Sequence, residues 1–291
     1  MQHYSKPCSA CSWSPERQEG CRYESNVKII HAMSDRGVWS LGSNLILKER
    51  SNQAPNFEAE NLRFLRENTS IPVPSVVEDW EEPNGHYFVL TKRIPGVPLS
   101  SLWPRMKMDD KERIAKQTAD YLMQLRELHS NRMESLGGKP IYSTFLFRRG
   151  HGIPHGPLAS DDDLWAELEV ALEHVPVETR QRLRQRMPSA APYTFTHGNL
   201  TSANIMVENG SLTGILDWEA SGYFPVWWEF TCAGIGLGEE DRDWRDLLQE
   251  YMPDLSEARE WWLDYWSLTR YPNRNERATA LLEHKESISS A

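Results

Sequence analysis

Long apolar runs are missing from this sequence. Nothing in it approaches the ~20 consecutive apolar residues that a membrane-spanning helix needs, and Met1 to Ser14 lacks the apolar segment of a secretory leader. The expected location is cytoplasmic, with no membrane partner. Cysteine is scarce: four in 291 residues do not make a disulfide framework. Cys8 and Cys11 have C-x-x-C spacing, with His3 and Cys21 nearby. The second C-x-x-C half of a zinc site is absent, however, and the interval to Cys21 fits no common finger. An N-terminal arm with free thiols is the simpler expectation. Positive charge is in deficit, 32 Lys plus Arg against 42 Asp plus Glu, so the net charge is −10. That balance disfavours nucleic acid as a partner. Neither G-x-x-x-x-G-K-[ST] nor G-x-G-x-x-G occurs, and there is no internal repeat or low-complexity block.

Aromatics, by contrast, are plentiful, with 12 Trp among 39% hydrophobic and 25% charged residues. This is the composition of a globular chain long enough for a two-lobed unit. Its most informative stretch runs from Thr194 to Glu219, T-F-T-H-G-N-L-T-S-A-N-I-M-V-E-N-G-S-L-T-G-I-L-D-W-E. Ile205-Met206-Val207 reads as a strand, Glu208 to Ser211 as a turn centred on Asn-Gly, and Leu212 to Leu216 as the return strand. Such a hairpin brings Asn204 and Asp217 to the same end. One amide oxygen and one carboxylate converging there suit an Mg²⁺ held against nucleotide phosphates.

His197-Gly198-Asn199, then Asn204, then a strand-borne Asp217 resembles the catalytic loop and metal Asp of the protein-kinase-like fold. More closely, the stretch resembles the aminoglycoside phosphotransferase family and in particular its fungal branch, where H-G-D-L…N-I-x-V…G-I-[IL]-D-W-E recurs. The resemblance implies an α+β, two-lobed protein-kinase-like fold, with a small strand-rich N-lobe and a larger, mostly helical C-lobe. The implied parts are an N-terminal arm (1–25), a nucleotide-covering lobe (26–95) and a lobe carrying the catalytic, metal and substrate sites (96–291). ATP and Mg²⁺ are the implied cofactors, and a small molecule is the implied partner. Asn204 and Asp217 are the expected metal ligands, and His197 is expected to brace the loop. One position departs from the pattern: the family's catalytic Asp is Asn199 here.

The rest of the chain follows the same plan. Strands are expected at 27–31, 37–41 and 45–48, the last ending at Lys48, then a helix over 57–66 with Asn56 as its N-cap. The resemblance implies that Lys48 points at the α- and β-phosphates and is held by Glu58, with Glu60 as the near alternative. It also puts a hinge after the strand Tyr87 to Leu90, where the backbone of Thr91 and Arg93 would read the adenine edge. The loop Met33 to Gly37 falls where phosphates are covered, without the glycines of that motif. Apolar residues from Ile114 to Leu128 recur at helical spacing and predict a core helix over 109–130. The Gly/Pro-punctuated 141–157, with Arg148, Arg149, His151 and His155, predicts a substrate-contacting loop or a solvated linker. Glycine and proline there forbid the helix that would pair the two histidines on a metal. Helices are expected from Asp161 to about His174, over 239–251 and over 256–269; the aromatic stripes of the last two read as core, or in part as the lining of a substrate pocket.

Asn199 decides what chemistry follows. Its carbonyl oxygen accepts a hydrogen bond, but it takes no proton at neutral pH. Three activities are compatible with that: a small-molecule kinase with a weakened base, a pseudokinase that keeps the cleft as a binding module, and a kinase fold reused for ATP-independent biosynthetic chemistry. The metal pair at family spacing favours the first two. The acidic charge mildly favours a cationic or neutral acceptor alcohol.

Overall fold

Five antiparallel strands build the first lobe: β1 (Val27–Met33), β2 (Arg36–Leu41), β3 (Leu45–Ser51), β4 (Val76–Glu81) and β5 (His86–Lys92). The sheet order is β1-β2-β3-β5-β4. The computed structural model describes residues 26–33, 36–51, 54–148, 152–233, 239–270 and 275–283. The cysteine-bearing arm, Arg149 and His151 lie outside them. Register pairs Val38 with Lys48, Arg36 with Arg50 and Lys48 with Val89. Directly opposed residues project to the same face of a sheet, so Arg36, Lys48 and Arg50 share one.

The helix of this lobe among the described residues, α1 (Glu58–Asn68), sits between β3 and β4 in sequence. It starts one residue later than expected, and Phe57, not Asn56, occupies the N-cap position without a side-chain cap. Ala59, Leu62 and Leu65 bury its apolar face beside Ile71 and Val73, while Glu58 and Asn61 turn polar groups inward.

Past β5 the chain crosses to the second lobe. β6 (Val97–Pro98) pairs not with the first sheet but with β9 (Ile205–Glu208), whose other neighbour is β10 (Ser211–Ile215). Gly96, in the crossover, has φ +96°, and a Cβ there would fall on the Val207 carbonyl. Gly96→Ala is therefore expected to lower stability by about 1–3 kcal/mol, from left-handed backbone strain plus overpacking. Denaturant unfolding checks this, and an unchanged midpoint would contradict it.

The helices of the second lobe are α2 (Leu99–Leu102), α3 (Met108–Arg126), α4 (Thr144–Phe147), α5 (Asp161–Glu169), α6 (Val177–Gln185), α7 (Trp228–Ala233), α8 (Glu239–Gln249), α9 (Ser256–Leu268) and α10 (Glu276–Glu283). The α3 stripe Ile114, Ala115, Thr118, Ala119, Leu122 and Leu125 is buried, as its spacing requires. A second small sheet joins β7 (His129–Ser130), β8 (Tyr193–Thr196) and β11 (Gly222–Pro225) in the order β11-β8-β7. Trp227, Trp228, Trp244, Trp261, Trp262 and Tyr265 are all buried, so the late aromatic stripes are core.

Of segment 141–157, residues 144–147 form α4, and Ile141 bridges to His155. His155 is buried, stacked on Phe147 at 3.7 Å and paired with Glu167 at 2.8 Å. Its ring is thus part of the packing.

Candidate active site

β8 delivers the chain to His197, which is fully buried. Its Nε2 faces the Leu216 carbonyl at 2.9 Å, and its Nδ1 accepts the Asn199 amide at 3.2 Å. A carbonyl only accepts, so the proton sits on Nε2. Burial lowers the His197 pKa to about 4, which keeps the ring neutral at working pH. His197 thus ties the loop to the end of β10 and does not change charge there. Gly198 has φ +80°, with the Ala220 carbonyl 3.0 Å from where a Cβ would lie, so the middle residue of His-Gly-Asn must be glycine.

A residue with no motif role in the sequence completes the brace. Glu229, in α7, accepts the His197 amide at 2.5 Å and the Gly198 amide as well. Its burial pushes its pKa up to about 7. The native state therefore binds a proton that the unfolded chain has released between pH ~4.5 and ~7, so this group makes stability fall as pH rises through that window. Glu229→Gln is expected to flatten that part of the stability-versus-pH profile. Melting scans from pH 4.5 to 8 check it, and identical slopes in variant and wild type would contradict it.

Asn204 ends a short 3₁₀ turn, Ser202–Asn204. Asp241 accepts both the amide and the hydroxyl of Ser202 at 2.9 Å and is itself paired with Arg245 at 2.6 Å. The Asn204 Nδ2 donates to the Asn199 carbonyl at 3.0 Å, which turns its Oδ1 away from the loop backbone. Asn209 and Gly210 both have positive φ, as a tight Asn-Gly turn demands, and close the β9–β10 hairpin. At its open end the Leu216 amide donates to the Asn204 carbonyl at 2.7 Å. Asp217 follows at once in the left-handed region, φ 67°, ψ 59°. A non-glycine residue there is uncommon, and Asp is one of the few types that adopt it readily.

The first lobe supplies the opposing charge. Lys48 Nζ lies 2.5 Å from Glu58 Oε1 and 3.5 Å from Asp217 Oδ1. Burial acts to lower the Lys48 pKa, but the two carboxylates outweigh it and hold the ammonium above its ordinary value. Burial likewise acts to raise the Asp217 pKa, and Lys48 then His197 bring it below the usual carboxylate range. Glu60, two residues beyond Glu58, projects elsewhere and pairs with Lys139. It lines a cavity of about 840 Å³ with Phe57, Phe64 and Leu136, a separate place from the Lys48–Asp217 contact.

Asn61 and Glu219 also tie the lobes together. Asn61 in α1 donates to the Trp218 carbonyl at 2.8 Å. Glu219 receives Arg36 at 2.9 Å and Arg50 at 2.6 Å. Neither had a sequence signal beyond the Trp-Glu that follows Asp217. At the expected hinge the Arg93 amide donates to the Asn44 carbonyl at 2.7 Å, and Thr91 is paired with both Ile46 and Val76 inside the sheet. Asn199 is half-buried, and among the described residues its side-chain amide makes no hydrogen bond.

A strand Lys, a helix Glu, an H-G-x-L loop and an Asp just past a strand are the parts of a kinase-like fold. The model of the phosphotransferase enzyme family matches residues 36–261, and the chain belongs to that family. Solved structures agree on the fold. The ADP-bound aminoglycoside phosphotransferase APH(2'')-Ib is 14% identical with a TM-score of 0.58, over 91% of this chain and 94% of that one. The GDP complex of wild-type aminoglycoside 2'-phosphotransferase-IIIa is 14% identical with a TM-score of 0.57, over 92% and 94%. The streptomycin–ATP ternary complex of APH(2'')-IIa is 14% identical with a TM-score of 0.54, over 89% and 90%.

Proposed function

We propose that this chain transfers the γ-phosphoryl group of ATP, bound with Mg²⁺, to the hydroxyl of a small molecule, with Asn199 where its relatives' pattern has a catalytic Asp. The observation that carries this is Lys48 held between Glu58 and Asp217 across the lobes, at 2.5 and 3.5 Å. An ammonium fixed in this way suits the α- and β-phosphates. Nucleotides occupying the cited relatives support the same reading.

The donor set fits Mg²⁺. Asp217 offers a carboxylate and Asn204 an oriented amide oxygen, and among the described residues no cluster of three or more His, Cys, Asp or Glu suggests a different metal. Mg²⁺ commonly takes one or two protein oxygens and completes its shell with phosphates and water. When bound it would neutralise charge on the phosphate oxygens. The protein's own work is positioning: His197 and Glu229 fix the loop, and Asn199 orients the acceptor hydroxyl through its carbonyl oxygen. Without a carboxylate, proton removal falls to solvent or to the phosphate, and turnover is slow.

A second reading has a specific observation behind it: Asn199 cannot act as a base, so the cleft would bind nucleotide and serve as a binding module. Incubation with γ-labelled ATP and a panel of amino- and polyhydroxy-alcohols separates the two. Label in an alcohol product, dependent on Mg²⁺, supports the transferase. Nucleotide binding without labelled product favours the binding module.

A further inference from the structure

Arg36 and Arg50 are directly opposed on neighbouring strands, β2 and β3. Like charges in that register repel, and something must offset them. Among the described residues, one carboxylate serves both: Glu219 gives Oε1 to Arg36 at 2.9 Å and Oε2 to Arg50 at 2.6 Å. Glu219 lies two residues beyond Asp217, in the turn Trp218–Ala220. The two arginines share a sheet face with Lys48, which itself reaches Asp217. Three cations of the first lobe therefore converge on the segment 217–219 of the second. The arginines are not equivalent: the Arg50 side chain is 10% exposed, Arg36 36%. Arg50 is the anchored partner and Arg36 the accessible one. The Arg36 guanidinium also helps to lower the Asp217 pKa, so its charge is felt at the metal carboxylate.

The stretch Met33 to Gly37 has no G-x-G-x-x-G, and Arg36 within it opens β2. A planar fork of N–H donors accepts a carboxylate or a phosphate in nearly the same geometry. We propose that Arg36 is a ligand of the terminal phosphate of the bound nucleotide, that Glu219 holds it in the nucleotide-free state, and that Arg50 keeps Glu219 when Arg36 leaves. Arg36 then does with a side chain what a glycine-rich loop does with its amides. The Glu219 carboxylate competes with the phosphate and sets a threshold for closing the cleft. This rests on the nucleotide-binding part of the proposed function, and its test separates the two.

The test is calorimetric titration of the full chain and of Arg36→Met, Arg36→Lys and Glu219→Gln with MgATP, MgADP and magnesium tripolyphosphate, with a melting scan of each variant. One lost charge-assisted contact corresponds to about 10- to 100-fold. Arg36→Met is expected to weaken MgATP by that factor and MgADP by less than about threefold, with Arg36→Lys in between. Glu219→Gln, which removes the competing charge, is expected to tighten MgATP by about three- to tenfold. If Arg36 only ties the lobes together, Arg36→Met lowers the melting temperature but leaves the MgATP-to-MgADP ratio unchanged. That ratio, in a wild type that binds MgATP, would overturn the assignment and leave the phosphotransferase reading standing. A wild type that binds neither MgATP nor magnesium tripolyphosphate would overturn both.

Discussion

Asn199→Asp is expected to raise ATP-dependent phosphorylation by about 10²–10⁴-fold, the usual contribution of a positioned general base. Asn and Asp are nearly isosteric, and the loop around this position is already built. The Asn199 amide rests on His197, its carbonyl takes the Asn204 side chain, and Glu229 secures the two amides before it. All of those contacts use backbone atoms, so the substitution leaves them in place. What it adds is a carboxylate able to take the acceptor's proton, together with one more negative charge near Asp217. The gain is the whole effect expected if the cleft is a transferase with a weakened base. If the cleft binds nucleotide without transferring it, the substitution adds ATP hydrolysis at most and leaves ligand binding as it was. If instead the cleft performs ATP-independent chemistry, the Asn199 N–H groups orient the substrate. An Asp at neutral pH has none to offer, so activity disappears. Product formation by both proteins, with and without MgATP, distinguishes these outcomes.

Lys48→Met should cost about 3 kcal/mol of stability at pH 8, the low end for breaking a buried ion pair by removing one partner. The low end is chosen because the Lys48 side chain is about a quarter exposed. Glu58 is left with 5% of its side chain exposed and no cation beside it, and Asp217 loses its partner 3.5 Å away. Burial already works to raise the Glu58 pKa, and Lys48 is what pulls it back down. The stranded carboxylate can then take a proton in the folded state. A group whose native pKa is raised stabilises the fold less as pH rises, so the defect should be small near pH 5 and largest near pH 8. Glu58→Gln in the same chain removes the stranded charge and should recover much of the loss, a coupling that a double-mutant cycle measures. Equal destabilisation at both pH values would contradict this account of the pair.

The site was legible where chemistry constrains side chains and illegible where backbone does the work. His197, Asn204, Asp217 and Lys48 stand out because each needs a particular functional group at a particular spacing. The hairpin between Asn204 and Asp217 was readable from Asn-Gly, since few residues tolerate two successive positive φ values. Helix phase from sequence left Glu58 and Glu60 both open, and only the direction of α1 separates them: one meets Lys48, the other Lys139. The hinge could not be read, because adenine contacts there would be made by amides and carbonyls common to every residue, and the Arg93 amide turned out to be bonded to Asn44. Glu229, Asp241 and Arg245 escaped notice because they act on the loop from α7 and α8, far along the chain and with no motif of their own. The burial of His155 was not readable either: the glycines and prolines around it suggested a substrate-contacting loop or a solvated linker, and its bridge to Ile141 has no sequence signal.

The most direct test of the central claim is calorimetric titration of MgATP into the wild type and into Asp217→Ala, backed by melting scans. The account predicts saturable binding by the wild type, with stabilisation of about 2.7 kcal/mol at 100 times the dissociation constant, and loss of most of that affinity in Asp217→Ala. No heat and no melting shift in the wild type, with the two proteins behaving alike, would contradict it.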